Sequence, residues 1–318
     1  MVEEVKFLVE KYEFRNFLFR QSDFLLNKKR AKELCDVLLR EKLNIRWAAE
    51  LRWDNVNMRM VERMKSAGCE RVILTIESLS VEKRVSKILS SILGLISLCQ
   101  DLNMSCVITV ILGFPGEKKL DSIFEFILKL SPQKNAYILL DLLSPLPGTP
   151  LLRNNKNGLI FNGNFIYSAL NENRENQALI KKYPVIFSCF YIIEPKFISG
   201  NFYLEDFPLL ESLLRNYSLS LYLITKDLKI GSLKLWFKMK EWLERKRIKC
   251  QRFATFNPEV DFKHNVCKFF PEFVKSLYPS RGKNFNSLCK IINLEERKFN
   301  LFEEIRKENN LRLKFKYF

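Results

Sequence analysis

The sequence predicts an α/β protein: an incomplete β/α barrel over residues 1–152, followed by a mainly α-helical extension over 153–318. Three observations carry this expectation. The first half alternates helical and strand-like segments with short connections, the pattern of parallel β/α units. Its later strand segments are continuous and β-branched, as strands buried on both faces are. Past Pro150 the alternation stops at the turn-rich run Asn154-Asn155-Lys156-Asn157-Gly158, and helical patterns take over.

Element by element, Val2–Tyr12 places Val5, Leu8 and Val9 at helical spacing with glutamates in the first turn, and Phe14–Phe19 is short, aromatic and strand-like. Asn27 is a good N-cap for a helix over Lys28–Lys42, whose Ala31, Leu34, Cys35, Leu38 and Leu39 form one apolar stripe. A strand follows at Asn44–Ala49, then a helix at Val56–Ser66 closed by Gly68, where a left-handed cap is expected. Arg71–Ile76 reads as a buried strand, and Ser80 caps a long helix reaching about Leu102. Ser105–Leu112 and Ala136–Leu143 are two more buried strands, separated by a helix at Lys119–Leu130. The order is a helix, then five strands alternating with four helices. A closed barrel of this type opens with a strand, so the expectation is that the leading strand is missing.

In the second half, helices are expected at Tyr167–Lys182, Phe207–Tyr217, Leu219–Lys226 and Ser232–Lys246, with an aromatic cluster at Phe187–Tyr191 ahead of Pro195. The stretch Lys263–Phe318 is basic and aromatic, without a legible architecture. The formal charge of +17 is uneven: residues 1–150 hold 23 Lys and Arg against 19 Asp and Glu, the remainder 30 against 17. A basic half suits nucleic acid or an anionic surface. Lysines on solvated helix faces are the preferred reading, because no recognisable nucleic-acid module accompanies the charge. A strong loss of affinity with added salt is what would distinguish a nucleic-acid or membrane-surface binder.

No apolar run is long enough to span a membrane; Ile88–Cys99 and Tyr183–Ile193 are short and interrupted. The acidic, amphipathic start is unlike a secretory signal, so a cytoplasmic location is expected. The eight cysteines, at 35, 69, 99, 106, 189, 250, 267 and 289, form no C-x-x-C and no metal-finger spacing with the single histidine, His264, which is read as a surface residue. Cys35, Cys69, Cys99 and Cys189 lie in apolar patterns and read as small buried hydrophobes.

The motifs that suit chemistry fall where predicted strands end, the reactive end of a β/α barrel. They are Phe19-Arg20-Gln21-Ser22-Asp23-Phe24, Glu50-Leu51-Arg52, Thr75-Ile76-Glu77-Ser78, Gly113-Phe114-Pro115-Gly116-Glu117 and Pro145-Leu146-Pro147-Gly148-Thr149-Pro150. Gly113 and Gly116 let the backbone approach a planar ligand, Pro115 holds the turn, and Glu117 sits near a helix N-terminus. Pro145–Pro150 reads equally as a stiff loop. Glu77 ends a buried strand and needs a partner, either a ribose hydroxyl or an arginine such as Arg52. Glu50 and Arg52 share one side of their strand, where they line a cavity or pair with each other.

Taken in order, Glu50-x-Arg52, Gly68-Cys69 seven residues before Thr75-Ile-Glu-Ser, Gly-Phe-Pro-Gly-Glu and Pro-x-Pro-Gly-Thr-Pro resemble radical S-adenosylmethionine (SAM) proteins of the cobalamin-binding subgroup. The resemblance covers residues 1–150, and Tyr183-Pro184, Phe190-Tyr191 and Pro195 resemble that subgroup's C-terminal extension. It implies a partial TIM-type barrel of six strands, (β/α)6, in which SAM chelates a [4Fe–4S] cluster. Glu77 would then lie on the ribose side and Ile111–Gly113 on the adenine side, with Glu50, Arg52, Ser78 and Gly116 completing the SAM-side set. Cleavage of SAM at the cluster would give a 5′-deoxyadenosyl radical, used in methyl transfer or carbon-skeleton rearrangement.

The departures from the family are specific. The C-x-x-x-C-x-x-C loop and the cobalamin domain are absent from the sequence; Gln21-Ser22 stands where an acidic pair is common, and Thr75 where a glycine is usual. Cluster iron needs thiolates on one loop. The expectation is therefore a truncated or split radical SAM enzyme, inactive alone and completed by an N-terminal chain that carries the cluster motif. The alternative is a non-catalytic binding or scaffold protein on a degenerate barrel.

Overall fold

The computed structural model describes residues 1–21, 23–76, 82–117, 120–130, 133, 136–161, 176–194, 198, 202–248, 266–279, 282 and 284–297. They divide into two compact units. The first comprises Met1–Lys119, Leu130–Leu159 and Tyr191–Phe197; the second comprises Leu120–Lys129, Ile160–Phe190 and Ile198–Phe318.

The first unit is built on helix α1 (Val2–Tyr12) and strand β1 (Asn16–Phe19), then α2 (Lys28–Glu41), β2 (Arg46–Arg52), α3 (Met58–Ser66), β3 (Cys69–Ile76), α4 (Glu82–Asp101), β4 (Ser105–Leu112) and β5 (Ala136–Leu142). The strands form one parallel sheet in the order β1-β2-β3-β4-β5. This is an α/β fold with five parallel strands. Its edges are β1 and β5, where the resemblance implies six strands curled into a partial barrel.

A parallel order that steps one strand at a time, with crossovers of one hand, puts α2, α3 and α4 on the same face. The burial pattern follows from that. Trp47, Ala49 and Leu51, then Val72, Leu74 and Ile76, then Cys106, Ile108, Val110 and Leu112 are buried on the helix side. Against them pack Ala31, Leu34, Cys35 and Leu38 of α2, Met60, Val61 and Met64 of α3, and Ile88, Ile92, Leu95, Ile96 and Cys99 of α4. On the opposite face Ala48, Glu50, Ile73, Thr75, Val107, Thr109, Ile111 and Asp141 are half-buried, while Leu18, Tyr137 and Leu139 are exposed. The expectation of strands buried on both faces is thus corrected, and so is that of a full apolar stripe on α2, whose Leu39 is 39% exposed.

Two helix N-caps are made by side chains, the predicted one at Asn27 and a second at Asn57. The Asn27 side chain accepts from the Arg30 N–H at 3.0 Å, and the Asn57 side chain from the Met60 N–H at 3.2 Å. Because the second of these caps lies at Asn57, α3 starts two residues later than Val56. Strand β2 starts later and runs further than Asn44–Ala49, since Leu51 continues the buried alternation. The expected Ser80 cap and the histidine His264 lie outside the described residues.

The second unit is helical: α5 (Leu120–Leu130), α7 (Gln177–Lys182), α8 (Phe207–Asn216), α9 (Ser218–Asp227), α10 (Ser232–Arg245), α11 (Val266–Leu277) and a helix over 284–297. Short α6 (Pro150–Asn155) precedes it in the chain. Of the expected helix Tyr167–Lys182, the part before Asn176 lies outside the described residues. The last two helices give Lys263–Phe318 a partial architecture the sequence concealed. They pack around Tyr217, whose ring centroid is 4.5 Å from that of Phe270 and whose hydroxyl donates to the Cys267 carbonyl at 3.1 Å. Burial, with Glu296 beside it, pushes the Tyr217 phenol well above its ordinary range. Glu295 accepts from the Leu219 N–H at 2.9 Å and from the Ser220 hydroxyl, so a carboxylate from the 284–297 helix satisfies the first turn of α9. Cys189, expected to be buried, is half-exposed in a 3-10 turn over Ser188–Phe190.

Candidate functional site

The carboxyl ends of the five strands collect most of the residues singled out in the sequence. Arg20 follows β1; Glu50 and Arg52 close β2; Thr75 is the next-to-last residue of β3; Ile111 and Gly113 end and follow β4; Asp141 lies near the end of β5. The register sets Arg52 beside Thr75, Thr75 beside Thr109, and Ile111 beside Asp141. Because strand side chains alternate, these residues share the half-buried face opposite the helices. Glu50-Leu51-Arg52 belongs to the strand itself and does not follow it. Glu77 and Ser78 lie outside the described residues.

Glu50 and Arg52 take different partners. Glu50 Oε1 is 3.8 Å from Arg20 Nε. Arg52 grips Asp54 with a two-pronged fork, Nε to Oδ1 at 3.1 Å and Nη2 to Oδ2 at 2.9 Å. That guanidinium holds the Asp54 carboxyl below the usual carboxylate range. The partners seen for Glu50 and Arg52 are therefore Arg20 and Asp54, on the loops that follow β1 and β2.

Asp23, a residue the sequence reading quoted without assigning, organises this edge. It is 4% exposed and accepts from the Leu25 N–H at 3.0 Å, the Arg52 N–H at 3.3 Å and the Asn55 amide at 2.6 Å. Phe24 N–H adds a bond to the Glu50 carbonyl at 2.8 Å. The loop after β1 is thereby stitched to the end of β2. An aspartate whose side chain bonds the N–H two residues on is an Asx turn, and Asp23 ahead of the Asn27 cap was the available signal.

The Gly113–Glu117 loop is closed by its own carboxylate. Gly113 N–H donates to Glu117 Oε2 at 2.8 Å, and Glu117 is fully buried. Glu117 therefore holds the loop shut and is not a surface charge placed for a helix. Gly113 and Gly116 have φ of 88° and 87°. A Cβ at Gly113 would meet nothing closer than 3.9 Å, and one at Gly116 nothing within 4 Å. The backbone conformation requires glycine, and the space over it is open. Pro145–Pro150 is a turn with Gly148 at φ 80°, leading into α6, which is capped by the Thr149 hydroxyl accepting from Leu152 N–H at 3.3 Å. The stiff-loop reading of that motif has a complete structural account.

No family model matches the chain. Over 159 residues, 48% of its length, it is 28% identical to an uncharacterised methyltransferase of Pyrococcus horikoshii. The chain is distantly related to methyltransferases. It spans about a third, 34%, of that curated relative's length. Among solved structures it is similar to the radical S-adenosylmethionine methyltransferase TsrM of Kitasatospora setae with cobalamin and a [4Fe–4S] cluster bound. That match covers 60% of this chain and 39% of the other at 16% identity, with a TM-score of 0.42. For TsrM with tryptophan and a SAM analogue the coverage is 63% and 42%, at 15% identity and a TM-score of 0.44.

The described residues do not fit an iron–sulfur cluster. Among the described residues no three of His, Cys, Asp and Glu converge in a way that could hold a metal. Cys35, Cys69, Cys99 and Cys106 are buried on the helix side of the sheet, away from the half-buried face. Burial pushes the Cys35 thiol up to about 11 and the Cys69 thiol up to about 12, so neither offers a thiolate near neutral pH. SAM is a different case. The sheet end offers carboxylates, an arginine, a threonine, the apolar Ile111 and an uncovered glycine backbone, a set suited to an amino acid joined to a nucleoside.

Proposed function

We propose that this chain forms the SAM- and substrate-side wall of a SAM-dependent methyltransferase of the radical SAM type. The observation that carries the reading is the row of half-buried polar residues at the carboxyl ends of a one-sided parallel sheet, ending in the open Gly113–Gly116 backbone. Crevices outside the carboxyl ends of parallel strands are where such sheets bind ligands. SAM, when bound, supplies the transferable group. The chain's residues bind and orient it: Ile111 and Gly113 form an apolar flank, Thr75 and Glu50 offer hydroxyl and carboxylate partners, and Glu117 keeps the loop closed. In this reading the five strands are part of a partial barrel.

A cluster belongs to this reading only through a complementing chain. Support comes from the β1 edge. Phe7 meets Tyr12 edge-to-face and Tyr12 stacks on Phe14, with centroids 5.9 and 6.0 Å apart, and each is about half exposed. Leu26 is 76% exposed and lines a groove of about 620 Å³ that runs along β1 past Phe17, Phe19 and Phe24. Exposed apolar patches beside a free strand edge mark a docking surface. The second reading, a non-catalytic binding protein on the same sheet, is favoured by the burial of the thiols. It dispenses with a complementing chain and keeps the ligand.

The test is equilibrium dialysis of labelled SAM against the purified chain and its Ile111→Trp variant. The chain is expected to retain SAM saturably. I111W, which fills the half-buried face without touching the core side, is expected to weaken retention by about tenfold, or about 1.4 kcal/mol. Equal retention by both proteins, or none by either, contradicts the proposal.

A further inference from the structure

The opposite end of the same sheet carries a second cavity. A groove of about 730 Å³ opens at the amino ends of the strands, between Asn16, Arg46, Lys65, Arg71, Asn103 and Ser105. Its floor is apolar, made by Leu18, Ala48 and Ile73. None of these residues belongs to the set at the carboxyl ends.

The groove's charge has an origin in the backbone. The register between β2 and β3 shifts between Trp47 and Ala48: Trp47 lies beside Cys69, but Ala48 lies beside Arg71, leaving Glu70 as an extra residue. With unbroken alternation Arg71 would share the buried face of Cys69. The bulge moves it to the other face, that of Ala48 and Arg46. Bulges in parallel pairs are uncommon and re-aim side chains, and here the re-aimed side chain is an arginine.

Two of the three cations are partly anchored. Arg71 Nε donates to Ser105 Oγ at 3.0 Å, and Lys65 Nζ donates to the Asn103 carbonyl at 3.3 Å. Among the described residues, Arg46, Lys65 and Arg71 have no ion-pair partner. Glu70 is the one carboxylate lining the groove, against three cations. Guanidinium forks match phosphate oxygens, and the volume falls in the range of small-molecule sites.

We infer that this groove binds an organic phosphate, its phosphate on Arg46 and Arg71 and its less polar body on Leu18, Ala48 and Ile73. The inference does not rest on the proposed function, since Arg46 and Arg71, which carry it, lie toward the amino ends of β2 and β3 and belong to no part of the set at the carboxyl ends. The test is calorimetric titration of the full chain at low salt with ADP, inorganic pyrophosphate and adenosine as probes. ADP is expected to bind saturably, pyrophosphate more weakly, and adenosine not detectably. Arg46→Met and the double variant R46M/R71M are expected to weaken ADP about tenfold or more, with unchanged thermal unfolding and unchanged SAM retention. Among the described residues the Arg46 side chain makes no hydrogen bond that its loss would break, so the single variant guards against misfolding. No saturable ADP binding up to about 10 mM, where affinity falls below about 3 kcal/mol, overturns the inference. Undiminished binding by both variants overturns it too. So does binding of an RNA oligomer that ADP fails to displace.

Discussion

Gly68→Ala is expected to destabilise the protein by about 3–5 kcal/mol, among the largest effects of any single methyl group added to this fold. Two terms combine. Gly68 has φ of 95°, a conformation that costs a residue with a Cβ about 1–2 kcal/mol. The added Cβ would also stand 2.3 Å from the Ile45 carbonyl oxygen, a backbone atom that cannot swing aside. Gly68 O accepts from Trp47 N–H at 3.0 Å, and the neighbouring Ala67 carbonyl accepts from the Trp47 indole at 2.7 Å. Relief of the clash therefore shifts the start of β2 and loosens Trp47. Gly148→Ala separates the terms: φ is 80° there and a Cβ meets nothing within 4 Å. Urea denaturation should show G148A losing only about 1–2 kcal/mol. Equal losses in the two variants would show that the Ile45 contact is relieved freely.

Asp23→Ala is expected to cost about 3–4 kcal/mol in the same measurement. The substitution strands the N–H groups of Leu25 and Arg52 and the Asn55 amide, and a buried donor left unmade costs about 1–3 kcal/mol. Asn55→Ala removes only one of these bonds and should cost about 1 kcal/mol. D23A should also disturb SAM retention, because the Arg52 backbone is held by the Asp23 carboxylate. A D23A protein as stable as the parent would mean that water replaces the three bonds, and that the β1 loop is not fixed by them.

The sequence made the sheet's order and its helix-side core legible because β/α alternation and periodic apolar residues report local structure. The cap at Asn27, the left-handed Gly68 and the bounds of α1 and β4 were all readable in this way. The one-sidedness of the strands was not, since β-branched residues such as Ile73, Val107 and Ile111 look alike whether a helix covers them or not. The β3 bulge was equally hidden: Cys69-Glu70-Arg71 gives no sign that alternation slips there, because the slip depends on pairing with β2. Asp23 escaped for a related reason, as its partners Arg52 and Asn55 are some thirty residues away. In the second half, the Tyr217 and Glu295 contacts join segments fifty or more residues apart, beyond the reach of any local pattern.

The central claim is that SAM lies on the half-buried face at the carboxyl ends of the strands. Methyl-labelled isoleucine spectra of the chain, recorded as SAM is added to about 1 mM, a concentration that detects binding of about 4 kcal/mol, test it most directly. Ile111 sits on that face, Ile73 further down it, and Ile92 and Ile108 on the helix side. The account predicts a saturable shift at Ile111, a smaller one at Ile73 and none at Ile92 or Ile108. An unmoved Ile111, or shifts confined to the helix-side methyl groups, would contradict it.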